Sequence, residues 1–159
     1  MRRTALAVVT VLALAACTST PPSTPTTDQP PPSTATDSAG VNCADAPADV
    51  VGTALGLRLN HTRQTITDNV VRCTYDGGTT EVRFETGADA ASFAKSRAEH
   101  ARATDLPGFH DEAYHATAVT GEVVQTSVTA RAGTVQITVT TGATTDRAQR
   151  LVNDLFAAL

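Results

Sequence analysis

The sequence has no tryptophan, and aromatic residues make up only 4% of its 159 residues. It also lacks any run of basic residues, and its formal net charge of −4 argues against nucleic acid as a partner. Its one long apolar run, near the N-terminus, is too short to span a bilayer as a mature helix. What is present is 41% hydrophobic residues and a length that suits one ordinary domain with additional segments.

The N-terminal region has the pattern of a signal peptide. A pair of arginines at positions 2 and 3 precedes an apolar stretch from residue 5 to residue 13, and Leu-Ala-Ala-Cys follows, ending at Cys17. This tetrapeptide resembles the bacterial lipobox, in which small residues precede a cysteine that receives a diacylglycerol and becomes the new N-terminus after cleavage. The resemblance implies a lipoprotein signal peptide over residues 1–16 and lipidation of Cys17. The alternative is an ordinary secretory signal with a chance cysteine.

Lipidation of Cys17 would place the protein on the extracytoplasmic face of the cell membrane. Each buried methylene group contributes about 0.8 kcal/mol, so two or three acyl chains such as palmitate hold a protein firmly. Cleavage removes both arginines of the signal peptide and takes the net charge from −4 to −6. A protein of that charge is not attracted to anionic lipid head groups, so the acyl chains must provide the anchoring.

Residues 17–40 have the composition of a spacer. After Cys17 this region is almost entirely Thr, Ser, Pro, Ala, Asp and Gln, and it contains six of the eight prolines. Without an apolar run it has nothing to bury in a core, and proline favours an extended conformation. At about 3.1 Å per residue, its upper reach is on the order of 70 Å. The composition becomes globular from residue 41, which predicts a single domain over residues 41–159.

Two cysteines remain once Cys17 carries a lipid, namely Cys43 and Cys73. A secreted chain with one such pair most often bridges it. The alternative is a thiol pair for metal or redox chemistry, but such pairs usually occur as Cys-x-x-Cys, and these two are about thirty residues apart. We therefore predict a structural disulfide.

The hydrophobic periodicity of residues 41–159 predicts an α+β domain. Helical patterns occupy residues 45–55, 88–102 and 144–159, and strand patterns occupy residues 57–67, 69–76, 80–85, 113–119, 122–131 and 134–141. The predicted order is α-β-β-β-α-β-β-β-α. One-sided alternation in the strands is typical of an antiparallel sheet that is covered on one face. We expect a sheet of five or six strands with the helices packed on one face.

Three features of this domain occur together. Cys43 precedes a short helix that ends in Leu55-Gly56, Cys73 lies in a strand, and Leu-Pro-Gly-Phe-His-Asp-Glu-Ala-Tyr follows the middle helix and ends at Tyr114. Together they resemble the small actinobacterial lipoproteins that are grouped as domains of unknown function. In that family the last stretch commonly reads Pro-Gly-x-Gly-Asp-x-Ala-Tyr, and this chain has His110 in place of the second glycine. The resemblance implies a fold and a cellular location, and no activity.

The sequence offers no arrangement that is typical of catalysis. It lacks the Gly-x-Ser-x-Gly motif and a glycine-rich phosphate-binding loop. The adjacent carboxylates Asp111 and Glu112 would point apart in a strand, so their spacing does not indicate a glycosidase pair. His110 and His115 are five residues apart, which differs from His-Glu-x-x-His and puts them on opposite faces of a strand. We therefore expect no catalysis, no cofactor and no metal site.

Two functions remain, and they make different demands on the fold. The first is a non-catalytic module that binds a protein or an envelope component, through the threonine-rich outer face of the sheet or through a loop whose candidate residues are Phe109, His110, Asp111, Glu112 and Tyr114. The second is a carrier of an apolar ligand such as a lipid, which needs a cavity between the helices and the sheet. A hydrolase is a third class, and it would need clustered polar groups in a cleft.

Overall fold

The computed structural model describes residues 40–159, so the predicted signal peptide, Cys17 and nearly all of the predicted spacer lie outside the described residues. The described chain contains three α-helices and one antiparallel sheet, which confirms the predicted α+β class. The helices are α1 (Ala48–Leu55), α2 (Ala90–Ala98) and α3 (Thr145–Ala158), and a short 3-10 helix, Cys43–Asp45, precedes them. The strands are β1 (Asn60–Thr67), β2 (Val70–Asp76), β3 (Thr80–Thr86), β4 (Thr104–Asp105), β5 (Glu112–Thr120), β6 (Val123–Ala132) and β7 (Val135–Thr141).

The sheet has seven strands in the order β1-β2-β3-β7-β6-β5-β4. Two three-stranded meanders, β1–β3 and β5–β7, meet where β3 pairs with β7, and all pairs are antiparallel. The expected five or six strands fall short of this number because β4 has two residues, which pair with His115 and Tyr114 on β5. A strand of two residues is too short to show an alternation of polar and apolar side chains, so hydrophobic periodicity does not predict it.

The hydrophobic core lies between one face of the sheet and helices α1 and α3. We call this the core face. It carries alternating apolar residues of the strands, and the two helices contribute the apolar stripes that their sequences predict. Full burial of one such side chain contributes about 1.5–3 kcal/mol. The fully buried members include Val51, Leu55, Val82, Phe84, Ile137, Val139, Leu151 and Val152.

Helix α2 packs on the opposite face of the sheet, which we call the open face. Tyr114 follows Ala113 of the core on β5, so its side chain projects from the other face. One cross-strand row connects Tyr114, through threonines of β6 and β7, with Arg83 on β3. The Phe93 ring of α2 lies edge-on against Tyr114, with 5.4 Å between ring centroids. The expectation that the helices share one face is therefore wrong for α2, because the large apolar residue of α2 has its partner on the open face.

A disulfide between Cys43 and Cys73 links the segment before α1 to strand β2, as predicted, with 5.6 Å between the Cα atoms. Two hydrogen bonds hold the same segment. The backbone N–H of Cys43 donates to Gln64 Oε1 at 2.8 Å, and the buried Tyr75 hydroxyl donates to the carbonyl of Ala46 at 2.6 Å. Residues 43–46 are therefore fixed to β1 and β2 by one covalent and two polar links.

The Tyr75 hydroxyl predicts how stability depends on alkaline pH. Burial raises the pKa of Tyr75 well above its usual value of about 10. The native state thus keeps a proton that the unfolded chain releases above about pH 10, so the free energy of unfolding should be unaffected below that pH and fall above it. Tyr75→Phe should make this fall shallower, while losing about 1 kcal/mol with the hydrogen bond.

Urea unfolding at a series of pH values from about 8 to 11 measures both effects, because this range brackets the pKa of an exposed tyrosine. The comparison is between the slopes of wild type and Tyr75→Phe, so the lost hydrogen bond shifts one curve without changing its slope. Equal slopes in the two proteins would contradict the prediction.

Candidate functional site

The segment between β4 and β5 turns sharply at the position where the sequence resemblance expects glycine. Gly108 and His110 both have a positive φ, of 78° and 56°. The left-handed region is open to glycine and unfavourable for most other residues. His110 therefore occupies a backbone conformation that suits the glycine of the resembling pattern. Its ring packs between Phe109 and Phe156, at 4.6 and 4.4 Å between ring centroids.

A groove of about 350 Å³ separates this segment from α2. The groove lies where the candidate loop faces α2. Three of the five candidate residues line it, namely Phe109, Asp111 and Glu112. The remaining lining residues are Phe93, Ala94, Arg97, Asp105, Leu106, Pro107, Gly108 and Ala113.

One ion pair lies among the groove residues. Arg97 Nε donates to Asp105 Oδ1 at 2.6 Å, and this hydrogen bond raises the pKa of Arg97. Both side chains are substantially exposed. An exposed ion pair contributes little to stability, so partners that compete for either charge can separate it at small cost.

Arg131 holds the acidic end of the loop. Its Nε and Nη2 atoms each lie 2.8 Å from Glu112 Oε2. Asp111 Oδ2 accepts a hydrogen bond of 2.7 Å from the backbone N–H of Gly133, and Arg131 Nη1 lies 3.7 Å from the same oxygen. Glu112 therefore pairs with Arg131 across β5 and β6, and Asp111 fixes the loop to the turn between β6 and β7, each through one oxygen.

Tyr114 has a different place from the other candidates. It is fully buried, and its hydroxyl lies 3.0 Å from Ser96 Oγ of α2. A partner on the surface cannot contact it. Tyr114 instead positions α2 beside β5 and so shapes one wall of the groove, while His110 lies behind the loop against α3.

Sequence reasoning did not place α2 at this site. Phe93, Ala94 and Arg97 line the groove, and all three fall at helical spacing within the predicted helix of residues 88–102. The signal was therefore present, but a periodic stripe does not say which face of a sheet it contacts. Only the pairing of Phe93 with Tyr114 makes that assignment.

The structure also describes the threonine-rich outer face of the sheet, the region in which a carrier would need its cavity, and the arrangement of the residue types that can bind metals. Threonines of the open face bond to each other across strands, with hydroxyl oxygens 3.1 Å apart for Thr129 and Thr138. Buried apolar side chains lie between the core face and helices α1 and α3, where a carrier would need its cavity. Within residues 40–159, the His, Cys, Asp and Glu side chains form no group of three that could hold a metal ion.

Comparisons of this chain with protein families, with curated proteins and with solved structures gave no match. The described residues contain no helix with the length and apolar character needed to cross a membrane. The fold and the groove define a disulfide-linked α+β domain with one helix on its open face and, beside that helix, a groove lined by apolar and charged residues.

Proposed function

We propose that this chain is a lipid-anchored extracytoplasmic protein that binds a protein or a cell-envelope component without catalysis. The groove between α2 and residues 105–113 carries this proposal, because it joins Phe109 of the candidate loop to apolar residues of α2. Its volume of about 350 Å³ is at the lower end of the range for ligand sites. It therefore suits one or two side chains, or one small group, of a larger partner.

The chemistry of the groove favours binding over reaction. Apolar side chains form much of its lining and charged groups are tied to each other, as in the centre and rim of a protein interface. Asp111 and Glu112 are adjacent carboxylates, and each already has a partner. Arg131 donates to Glu112, and the backbone N–H of Gly133 donates to Asp111. Their positions suit a role in holding the loop.

The disulfide supports the proposed location. Bridges of this kind form and persist outside the cytoplasm, where the redox environment is oxidising. Cys43 lies just after the predicted spacer, so the bridge links the first residues of the domain to strand β2. The lipobox-like pattern that ends at Cys17 and the bridge at Cys43 are two independent features that favour the same side of the membrane.

Photocrosslinking in intact cells tests the groove. A benzophenone amino acid at Phe109 is expected to give a discrete adduct, and the same amino acid at Val50, an exposed residue of α1, serves as the matched control. The added change Ala94→Trp fills the groove and should lower the adduct yield at position 109 about tenfold, the effect of losing roughly 1.4 kcal/mol of binding.

Two results would contradict this proposal. One is the same set of adducts from positions 50 and 109, which would indicate random collision. The other is an adduct at position 109 whose yield is unchanged by Ala94→Trp in a protein that circular dichroism shows to be folded.

A further inference from the structure

A second site lies on the open face, at a distance in sequence from the groove residues. Alternation along β1, β2 and β3 brings Thr65, Arg72 and Arg83 to this face in one cross-strand row. Arg72 and Arg83 are directly opposite each other in the register of β2 and β3. Like charges in this position repel and destabilise a sheet. Their pairing is unfavourable unless another group lies between them.

Carboxylates of the same strands offset part of this repulsion. Glu81 Oε1 lies 3.2 Å from Arg72 Nε, and Glu85 Oε2 accepts a hydrogen bond of 2.7 Å from Arg83 Nη2. Each contact uses a single nitrogen of the guanidinium group. Both Nη atoms of Arg72, and the Nε and Nη1 atoms of Arg83, take no part in these two contacts.

One of these donors is unusual. Arg83 Nε is buried, and it has no hydrogen-bond partner within the described part of the chain. A buried donor without an acceptor costs about 1–3 kcal/mol, so such groups are rare unless a ligand or water completes them. The Arg83 side chain as a whole is about a third exposed, so a ligand can contact the side chain, and a small movement of the guanidinium group would bring Nε to it.

A pocket of about 260 Å³ lies beside both arginines. Its walls provide hydroxyl donors from Thr65 and Thr67 in addition to the guanidinium groups, and its one acidic residue, Asp68, is exposed to water in the turn between β1 and β2. The other lining residues are Asn69 and Val70.

We propose that this pocket binds a phosphate group, with Arg72 and Arg83 as its principal donors. Two guanidinium groups on neighbouring strands and two hydroxyls offer more donors than the two oxygens of a carboxylate can accept. The phosphorus atom of a monoester or a diester carries four oxygens in a tetrahedral arrangement, terminal and ester oxygens together, which suits this number. The phosphate would lie between the two like charges and complete the Arg83 Nε donor. A lipid head group and a soluble phosphate both have this chemistry.

Side-chain NMR of the full chain in neutral detergent micelles tests the proposal. With inorganic phosphate at constant ionic strength, the Nε–H resonances of Arg72 and Arg83 should shift and saturate, and with acetate they should not. Arg72→Gln and Arg83→Gln should each weaken phosphate binding about tenfold, the loss of one charge-assisted interaction. The matched control is Arg63→Gln, because Arg63 is on the same face but pairs with Asp76 and does not line the pocket.

Micelles that contain phosphatidylglycerol distinguish the two sources. Shifts with these micelles in the absence of inorganic phosphate assign the site to a lipid head group, whereas shifts with inorganic phosphate alone assign it to a soluble phosphate. Each result supports the proposal.

Three results would overturn it. The first is no saturable shift of either arginine with either probe. The second is equal binding of acetate and phosphate. The third is an equal loss of affinity in Arg63→Gln, which would indicate general surface charge. Thermal unfolding followed by circular dichroism separates these results from misfolding. Arg72→Gln removes a repulsion together with a largely exposed ion pair to Glu81, so the melting temperature should change little.

Discussion

Replacing Cys43 and Cys73 together by alanine is expected to lower the free energy of unfolding by roughly 3.5 kcal/mol. The bridge joins residues that are 30 positions apart, so its removal increases the conformational freedom of the unfolded chain. A loss of this size is a large fraction of the 5–15 kcal/mol, roughly, that stabilises a typical domain.

The structure indicates which part of the domain is affected first. Residues 43–46 are held to β1 and β2 by the bridge and by the hydrogen bonds at Gln64 and Tyr75. Without the bridge, those two hydrogen bonds must hold the segment alone. Since α1 begins two residues later, a loosened segment would also weaken the packing of Val51 and Leu55 against the core face.

Urea unfolding of the wild-type protein and of the variants measures this loss. Cys43→Ala alone should destabilise the domain as much as the double variant, because either change removes the whole bridge. Wild-type protein treated with a reducing agent should unfold at a similar urea concentration. An unfolding midpoint that does not respond to reduction would contradict the prediction.

Local sequence patterns predicted those parts of the fold that depend on one element and its own face. The apolar stripe of α3 and the alternation of β2, β3 and β7 correspond to the observed helix and strands. The disulfide followed from the number of cysteines and their spacing. In the helix and the strands the physical signal is a periodicity within the segment itself, and for the disulfide it is the presence of a single remaining pair of cysteines.

The groove could be predicted only in part, because it depends on contacts between distant segments. Phe109 and the carboxylates after it were candidates from the loop composition, but Phe93 on α2 joins them through its contact with the buried Tyr114. The same holds for the pair Arg72 and Arg83. Each is an ordinary exposed arginine in the sequence, and only the register of β2 with β3 places them opposite each other.

The two faces of the sheet thus have separate roles in these proposals. The core face is covered by α1 and α3, whose apolar side chains pack against it. The open face carries α2 at one end and the arginine pair towards the other end of the strand order.

Replacing Cys17 by alanine should release the protein from the membrane almost completely. Anchoring by a diacylglycerol comes from burial of two acyl chains, each methylene group contributing about 0.8 kcal/mol, so removal of the thiol removes the dominant attraction. A chain without the predicted signal peptide would have a net charge of −6, so electrostatic attraction to anionic lipid could not replace the acyl chains.

Phase separation in a mild detergent, combined with metabolic labelling by a clickable fatty acid, measures the anchor directly. Wild-type protein should carry the label and enter the detergent phase, and Cys17→Ala should carry no label and enter the aqueous phase. The matched control is the double variant of Cys43 and Cys73, which should keep both the label and the detergent phase, because its thiol at position 17 is intact. To exclude retention by an uncleaved signal peptide, the mass of the mature Cys17→Ala protein is determined. A processed Cys17→Ala protein that stays in the detergent phase without a label would contradict lipidation at this residue.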